Sequence, residues 1–381
     1  MMNLTTDTTT LRAAVSWAAQ GLRPGRSAEP AHVAMRLEAG ADGVSLSAFD
    51  GDRAATAVAA AAVAEPGDVL LPGWLLDSIL RELTAARPLR ISEEKDGRVQ
   101  IASGRSVFDL VPLVLDAGYP LLPDLPAAAG VIDGDELAGM VRRVIVAMSK
   151  TPEKPCFEGV RIEAGETLRM VASDGWRIAI REVPWQRCGV DDVPPVLFPP
   201  AVLEAMARAV PAGSKVTYCT GPDEGGQGMA GFSCDGQTLV TRTLVSPYPE
   251  YGGWVSAERP CFADMDSQAL LGAVRRASLM MAPGSGVRLT FYETSASAEA
   301  ANADAASATE TFEVTFSGDE PLKVVLNPEY LKDAVSTVDR DRVRMSFPVA
   351  ERNSVKLTAP GDGEAADCHL VVPIKVPQPG Q

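Results

Sequence analysis

One pattern occurs three times, in constant order and at nearly constant spacing, and it restricts the chain to a tandem-repeat fold. An aliphatic run, a breaker and a helical pattern stand at Val69-Leu70-Leu71-Pro72-Gly73-Trp74-Leu75-Leu76, at Val196-Leu197-Phe198-Pro199-Pro200-Ala201-Val202-Leu203 and at Val324-Val325-Leu326-Asn327-Pro328-Glu329-Tyr330-Leu331. The aligned positions 72, 199 and 327 are 127 and 128 residues apart. Each segment reads as a buried strand ending at a helix start, where proline or asparagine is suited because the first helical N–H groups lack partners. A second signature recurs in the same order: Asp7-x-x-x-Leu11-x-x-x-Val15, Asp133-x-x-x-Leu137-x-x-x-Val141 and Asp266-x-x-x-Leu270-x-x-x-Val274, spaced by 126 and 133. Aspartate caps helix N-termini, and the i, i+4, i+8 spacing lays Leu and Val on one helix face. Two weaker echoes agree. Asp50-Gly51-Asp52-Arg53 and Asp174-Gly175-Trp176-Arg177 share D-G-x-R at a distance of 124, and Tyr119-Pro120 recurs as Tyr248-Pro249 after 129.

Each unit therefore holds two helices, six in the chain, and the remainder alternates as half-buried strands do, for example at Gly43–Ser47, Leu89–Ser92, Val99–Ile101 and Leu168–Val171. The fold class is α+β, three tandem copies of one domain with two helices packed on antiparallel sheets. The expected boundaries are 1–127, 128–253 and 254–381, with breaks near 126–131 and 252–260. The Ala- and Ser-rich stretch Thr294–Thr311 reads as a hairpin or as a loop. Like units in tandem invite head-to-tail assembly, which closes into a ring or runs on as a filament.

The net charge of −15 disfavours simple coating of nucleic acid. The predicted helices are nearer neutrality: Arg12, Arg81, Arg142, Arg143, Arg208, Arg275, Arg276 and Lys332 stand against Asp77, Glu82, Asp135, Glu136, Glu204, Glu329 and Asp333. They are the least negative surface of an acidic molecule, either ordinary solvated helix faces or a face that tolerates phosphates. Six cysteines without a C-x-x-C pair match no zinc pattern and read as reduced thiols of a cytoplasmic protein. Only His32 and His369 are present, which disfavours histidine metal sites and a Ser-His-Asp triad. No P-loop, H-E-x-x-H, G-x-S-x-G or dinucleotide fingerprint occurs. The glycine-rich run from Gly221 lacks a phosphate-loop lysine and reads as a turn, as do the acidic pairs Asp50/Asp52 and Asp339/Asp341. No apolar stretch approaches the ~18–20 residues of a membrane span, and the start at Met1-Met2-Asn3 has no leader character. These features predict a non-catalytic protein without cofactor or metal.

The triple repeat, the segment Leu168-Arg169-Met170-Val171-Ala172-Ser173-Asp174-Gly175-Trp176-Arg177-Ile178-Ala179, the segment Tyr248-Pro249-Glu250-Tyr251 and the ending His369-Leu370-Val371-Val372-Pro373-Ile374-Lys375 resemble the bacterial sliding clamp, the beta subunit of DNA polymerase III. The resemblance covers essentially the whole chain. It implies a head-to-tail homodimeric ring around duplex DNA, lined by helices and held by topology, with sequence-blind phosphate contacts. It implies as partners DNA, a second copy, the DNA polymerase III alpha subunit, the clamp loader, and other polymerases and repair proteins that carry a short peptide of glutamine followed by hydrophobic residues. An acidic exterior is compatible with this role, because it keeps DNA off the outer surface.

Carried over residue by residue, the resemblance places the peptide pocket at Phe157, Ser173, Gly175, Trp176, Arg177, Ile178, Pro249, Asn327, Tyr330, Leu370, Val372, Pro373 and Ile374. In this reading Gly175 permits a tight turn, Pro249, Ile178, Val372 and Pro373 form an apolar wall, and Arg177 and Asn327 supply donors. By their residue type alone, Ile178, Leu370 and Val372 are ordinary core strand residues. DNA-facing candidates are Arg12, Arg23, Arg26, Arg142, Arg143, Lys150, Lys154, Arg208, Arg275 and Arg276; the ring interface would join Arg105, Phe108 and Leu110 to Leu279 of another copy. The chain departs from the family at Gly73-Trp74 and Pro199-Pro200, where basic residues are common, and at Trp176 and Gly252-Gly253-Trp254 near the pocket. These departures imply an alternative: a divergent clamp copy with an altered pocket, specialised or resistant to a pocket-directed inhibitor, or a decoy that no longer loads on DNA.

Overall fold

The computed structural model describes residues 1–23, 29–115, 117–149, 154–189, 193–221, 228–282, 284–301, 307–338, 340–349, 354–361 and 367–375. Among these the helices are α1 (Thr8–Ala18), α2 (Gly73–Glu82), α3 (Gly134–Val144), α4 (Pro200–Ala209), α5 (Gly252–Val255), α6 (Ser267–Ser278) and α7 (Pro328–Val338). Six are those the repeats predict; α5 is a single additional turn. All three aspartates act as N-caps. Asp7 accepts from the Thr9 and Thr10 amides at 2.9 Å, Asp133 from the Asp135 amide at 3.0 Å, and Asp266 from the Ala269 amide at 2.7 Å. The Thr10 hydroxyl also holds the Asp7 carboxyl below its ordinary pKa, and Lys215 does the same for Asp133. The periodic pairs Leu11/Val15, Leu137/Val141 and Leu270/Val274 are all buried.

The second helix of each repeat follows its strand directly, at Gly67–Pro72, Val196–Phe198 and Leu322–Leu326. Asn327 caps α7, its side-chain oxygen accepting from the Glu329 amide at 2.9 Å. Pro72 and Pro199 precede α2 and α4 without a side-chain cap. The C-terminal end of α2 has a different solution: Arg12 reaches from α1 to donate Nε to the Leu80 carbonyl at 2.8 Å and Nη2 to the Leu83 carbonyl. A cation there meets both the unpaired carbonyls and the negative end of the helix dipole.

The chain forms two compact units, Met1–Ala138 with Trp185–Leu244, and Gly139–Pro184 with Val245–Gln381. The middle repeat is thus divided between them. In the first unit one sheet runs Ala62–Glu65, Asn3–Asp7, Pro88–Glu93, Val99–Ser103, Ser106–Leu110. A second runs Gln186–Arg187, Ala128–Asp133, Lys215–Thr220, Met229–Cys234, Gln237–Arg242, Arg53–Ala59, Gly43–Phe49, Ala34–Gly40, Gly67–Pro72. In this second sheet Thr238 pairs with Thr56 and Thr241 with Arg53, so the first and middle repeats share one hydrogen-bonded ladder. Trp17 of α1 donates its indole N–H to the Thr238 carbonyl at 2.9 Å. Phe198, Tyr218 and Phe232 stack as the aromatic core of this unit, with centroids 5.3 to 6.2 Å apart.

The second unit repeats the device. Its sheet runs Val160–Ala164, Thr167–Ser173, Arg177–Pro184, Asp367–Val371, Val355–Thr358, Arg342–Phe347, Cys261–Asp266, Ser307–Phe316, Ser295–Ala301, Val287–Phe291, Leu322–Leu326. Arg177 pairs with Val371, Ile178 with Leu370 and Ala179 with His369, joining the middle repeat to the third. Ser295–Ala301 and Ser307–Phe316 pair antiparallel, which resolves the Ala/Ser-rich stretch as a hairpin. Phe291, Phe316 and Phe347 cluster under Leu270 and Val274 of α6. Full burial of an aliphatic or phenyl side chain contributes about 1.5–3 kcal/mol each.

No helix of the described residues is long and apolar enough to cross a membrane, and they hold no group of metal-ligating residues. All six cysteines are free. We expect Asp266→Ala to lower unfolding stability by about 1 kcal/mol through loss of the α6 cap, read as a reduced urea midpoint with an unchanged slope; Asp266→Asn should retain most of it.

Candidate functional site

The D-G-x-R echo is one local structure built twice. Asp50 accepts from the amides of Asp52 and Arg53 at 3.1 and 2.9 Å and pairs with Arg53 Nε at 3.0 Å. Asp174 accepts from the amides of Trp176 and Arg177 at 2.9 and 3.1 Å and pairs with Arg177 Nε at 3.0 Å. The intervening glycines have φ of 98° and 89°, the left-handed region that favours a residue without Cβ. In each case the arginine opens the strand that joins two repeats.

Around the second of these turns lies a cleft of about 580 Å³. The turn contributes Asp174, Gly175, Trp176 and Arg177; the chain before the strand Val160–Ala164 contributes Met148, Ser149, Lys154 and Phe157; α7 contributes Glu329, Tyr330 and Asp333. Phe157 closes one side, and a Cβ at Gly175 would stand 3.1 Å from its ring. Trp176 is 62% exposed, with its ring free at the rim. Arg177, in contrast, is buried. Its Nη1 donates to Asp333 at 2.6 Å and its guanidinium carbon lies 4.3 Å from the Tyr330 ring centroid. Burial, and next the Asp174 charge, push the Tyr330 phenol above its ordinary pKa.

Five predicted pocket residues therefore line this cleft: Phe157, Gly175, Trp176, Arg177 and Tyr330. The others do not line it. Ser173 is buried, donating to the Arg177 carbonyl at 2.8 Å and accepting from the Gly175 amide at 3.0 Å. Ile178 and Leu370 belong to a small core with Val171, Ile180, Tyr251 and Cys368. Pro249 is half-buried. Val372 donates its amide to the Trp176 carbonyl at 2.9 Å, Ile374 donates its own to Val325, and Pro373 lies between them. Asp174 and Asp333 engage Nε and Nη1 of Arg177, and the amide oxygen of Asn327 caps α7, which leaves the donor NH2 of that side chain out of the cap. Sequence reasoning missed Met148, Ser149, Asp174, Glu329 and Asp333 as lining residues and assigned Lys154 elsewhere. The recurrence of D-G-x-R within the chain is the signal that could have found Asp174.

The DNA-facing candidates divide. Arg12 is half-buried and turns Nε and Nη2 to the carbonyls that end α2. Arg23 donates to the Asp50 carbonyl at 3.1 Å. Arg143 lies 4.0 Å from Asp367, Arg208 3.7 Å from Glu204 and Arg276 2.8 Å from Glu310. Arg142, Lys154 and Arg275 are exposed; Arg26 and Lys150 lie outside the described residues. Of the interface candidates, Leu279 is 76% exposed, Arg105 is exposed and Phe108 half-buried on the terminal strand of its sheet. Leu110 is 3% exposed and serves its own core.

His369, on the strand Asp367–Val371, is buried. The Thr337 hydroxyl lies 2.8 Å from the Ala334 carbonyl and 2.6 Å from His369 Nε2, and shares its hydrogen bonding between them. Burial, with the Arg177 charge second, drives the His369 pKa down to about 3.

Models of the N-terminal, central and C-terminal domains of the DNA polymerase III beta subunit match residues 2–123, 131–250 and 258–373. The chain belongs to the DNA polymerase III beta-subunit family, the sliding clamps. It is 31% identical over 380 residues to the beta sliding clamp of Streptomyces coelicolor, covering 98% of this chain and all of that one. It is 28% identical over 365 residues to the beta sliding clamp homolog GriR of Streptomyces muensis, covering 95% and 96%. The fold superposes on the Bacillus subtilis sliding clamp with a TM-score of 0.85 at 21% identity, covering 98% and 99%. It superposes on a Pseudomonas aeruginosa clamp bound to griselimycin with a TM-score of 0.86 at 21%, covering 98% and 100%. The three clamp domains are each α+β, helices on antiparallel sheets, and the family's work is DNA replication.

His369 gives this clamp a defined acid response. Its folded pKa lies far below the ~6.5 of an unfolded histidine, so the unfolded chain binds the extra proton. Its contribution is complete above about pH 6.5 and is lost as pH falls toward 3. Urea midpoints should therefore drop between pH 7 and pH 5, and His369→Gln should flatten that part of the profile.

Proposed function

We propose that two copies of this clamp close head to tail into a ring around duplex DNA, and that the cleft at the second D-G-x-R turn tethers polymerases through a short peptide. The observation that carries the peptide reading is the cleft itself: a walled space in which Phe157, Tyr330 and an exposed Trp176 stand among the charged groups of Lys154, Asp174, Arg177, Glu329 and Asp333, so that aromatic surface and polar anchors meet in one concavity. The partners in this reading are the DNA polymerase III alpha subunit, the clamp loader and other polymerases and repair proteins with such peptides, in the cytoplasm. The role is non-catalytic, with domains at 1–127, 128–253 and 254–381. Exposed Arg142, Arg208, Arg275 and Arg276 supply sequence-blind phosphate contact. The ring contact would join Arg105, in the turn before the terminal strand Ser106–Leu110, and Phe108, on that strand, to Leu279 of the second copy.

A second reading rests on Trp176. A bulky ring at the rim favours a specialised copy whose pocket discriminates against an inhibitor, and the likeness to the homolog GriR is in keeping with it. A clamp-loader assay separates a working ring from a decoy. Protein loaded on nicked circular DNA should co-elute with it and be lost when the DNA is linearised; equal loss from both forms would overturn the ring. A fluorescein-labelled peptide of glutamine followed by leucine and phenylalanine should bind saturably. Trp176→Ala should weaken that binding on the order of tenfold while leaving thermal stability unchanged. Tighter binding by the variant would favour the specialised reading.

A further inference from the structure

Arg53 and Arg177 begin equivalent strands with equivalent turns, yet their remaining donors go to different places. Arg53 Nη2 donates to the Leu22 carbonyl at 2.7 Å, inside its own repeat. Arg177 Nη1 donates to Asp333 on α7, in the third repeat. When the helix starts at Pro199 and Asn327 are aligned, Ala205 stands where Asp333 does, and Val202 where Tyr330 does. Helix α4 offers no carboxylate at that place, so the carboxylate link is particular to the repeat junction that holds the cleft.

We propose that Asp333 is a positioning residue for the peptide cleft, acting through Arg177 on Tyr330; this rests on the peptide reading above. Asp174 holds Nε at 3.0 Å and Asp333 holds Nη1 at 2.6 Å, so the guanidinium plane is pinned at both ends. A planar cation held in this way offers a flat face to an aromatic ring, and the Tyr330 centroid is 4.3 Å from its carbon. Tyr330 and Asp333 are three residues apart on α7, so they share a helix face. Without the Asp333 charge, Nη1 loses its strong acceptor, Arg177 pivots on Asp174, and the Tyr330 wall loses its platform. An incoming peptide must then order that wall itself.

The test is fluorescence polarisation of the labelled glutamine–leucine–phenylalanine peptide on the full chain, with wild type, Asp333→Asn, Arg177→Gln and the double variant. Asp333→Asn should weaken binding about tenfold, Asp333→Glu should restore part of it, and the double variant should bind no more weakly than Arg177→Gln alone. Melting curves monitor folding; if Arg177→Gln does not fold, Tyr330→Leu replaces it, with the same non-additivity expected. Unchanged binding by Asp333→Asn overturns the proposal. So does an equal loss in both backgrounds, because Asp333 would then touch the peptide directly. Wild type that does not bind the peptide overturns the peptide reading and this proposal together, whereas binding with an indifferent Asp333 overturns only the latter.

Discussion

The structure depends on a buried carboxylate that arranges its own chain and its own counter-ion. Asp50 and Asp174 each satisfy two backbone amides of a turn and one arginine that begins the next strand. That strand is the one to which the following repeat adds its own. Leaving such a pair half-broken is costly, about 3–5 kcal/mol, because a charge stays buried without its partner. The aspartate therefore does more than cap a turn: it holds the arginine that opens the strand on which one repeat becomes continuous with the next. The division of the middle repeat between two units follows from this, since hydrogen-bonded ladders tie its two parts to different neighbours.

Part of the arginine charge is already committed within the molecule, while Arg142 and Arg275 stay exposed. Arg12 is committed to the carbonyls that end α2, Arg177 to two carboxylates, and Arg208 and Arg276 stand beside glutamates. Exposed pairs of the last kind hold weakly and exchange readily with other anions. In the proposed ring, contacts with phosphate would then be few and transient, which suits a body retained by closure and free to slide.

Much of this was legible in the residues. The three aspartate caps, the buried Leu/Val faces and the second helix starts all lie where their spacing places them, because capping and periodicity are local rules. The D-G-x-R recurrence marked both junction turns. Other features were not legible because they depend on distant segments. Nothing near Arg12 announces that it will reach the end of α2, and nothing near Arg177 names Asp333 as its partner. Leu110 and Ile178 look alike in sequence whether they face a core or a partner. The Ala/Ser-rich stretch resolved into a hairpin only because neighbouring strands accept it, since alanine has little strand preference of its own.

The shared ladder has a consequence for synthesis. The Glu182 amide and Asp367, which meet at the second junction, are 185 residues apart along the chain. At typical elongation rates that separation corresponds to roughly 10–40 s, during which the strand Arg177–Pro184 has left the ribosome without its neighbour. An unpaired strand of this kind invites pairing with other nascent chains. Its run Arg177-Ile178-Ala179-Ile180-Arg181-Glu182 carries charges at both ends of the apolar core, the placement that discourages such pairing. The same Arg181 and Glu182 later bond to Asp367 when the last strand arrives, so the residues that guard the open edge also receive the strand that closes it.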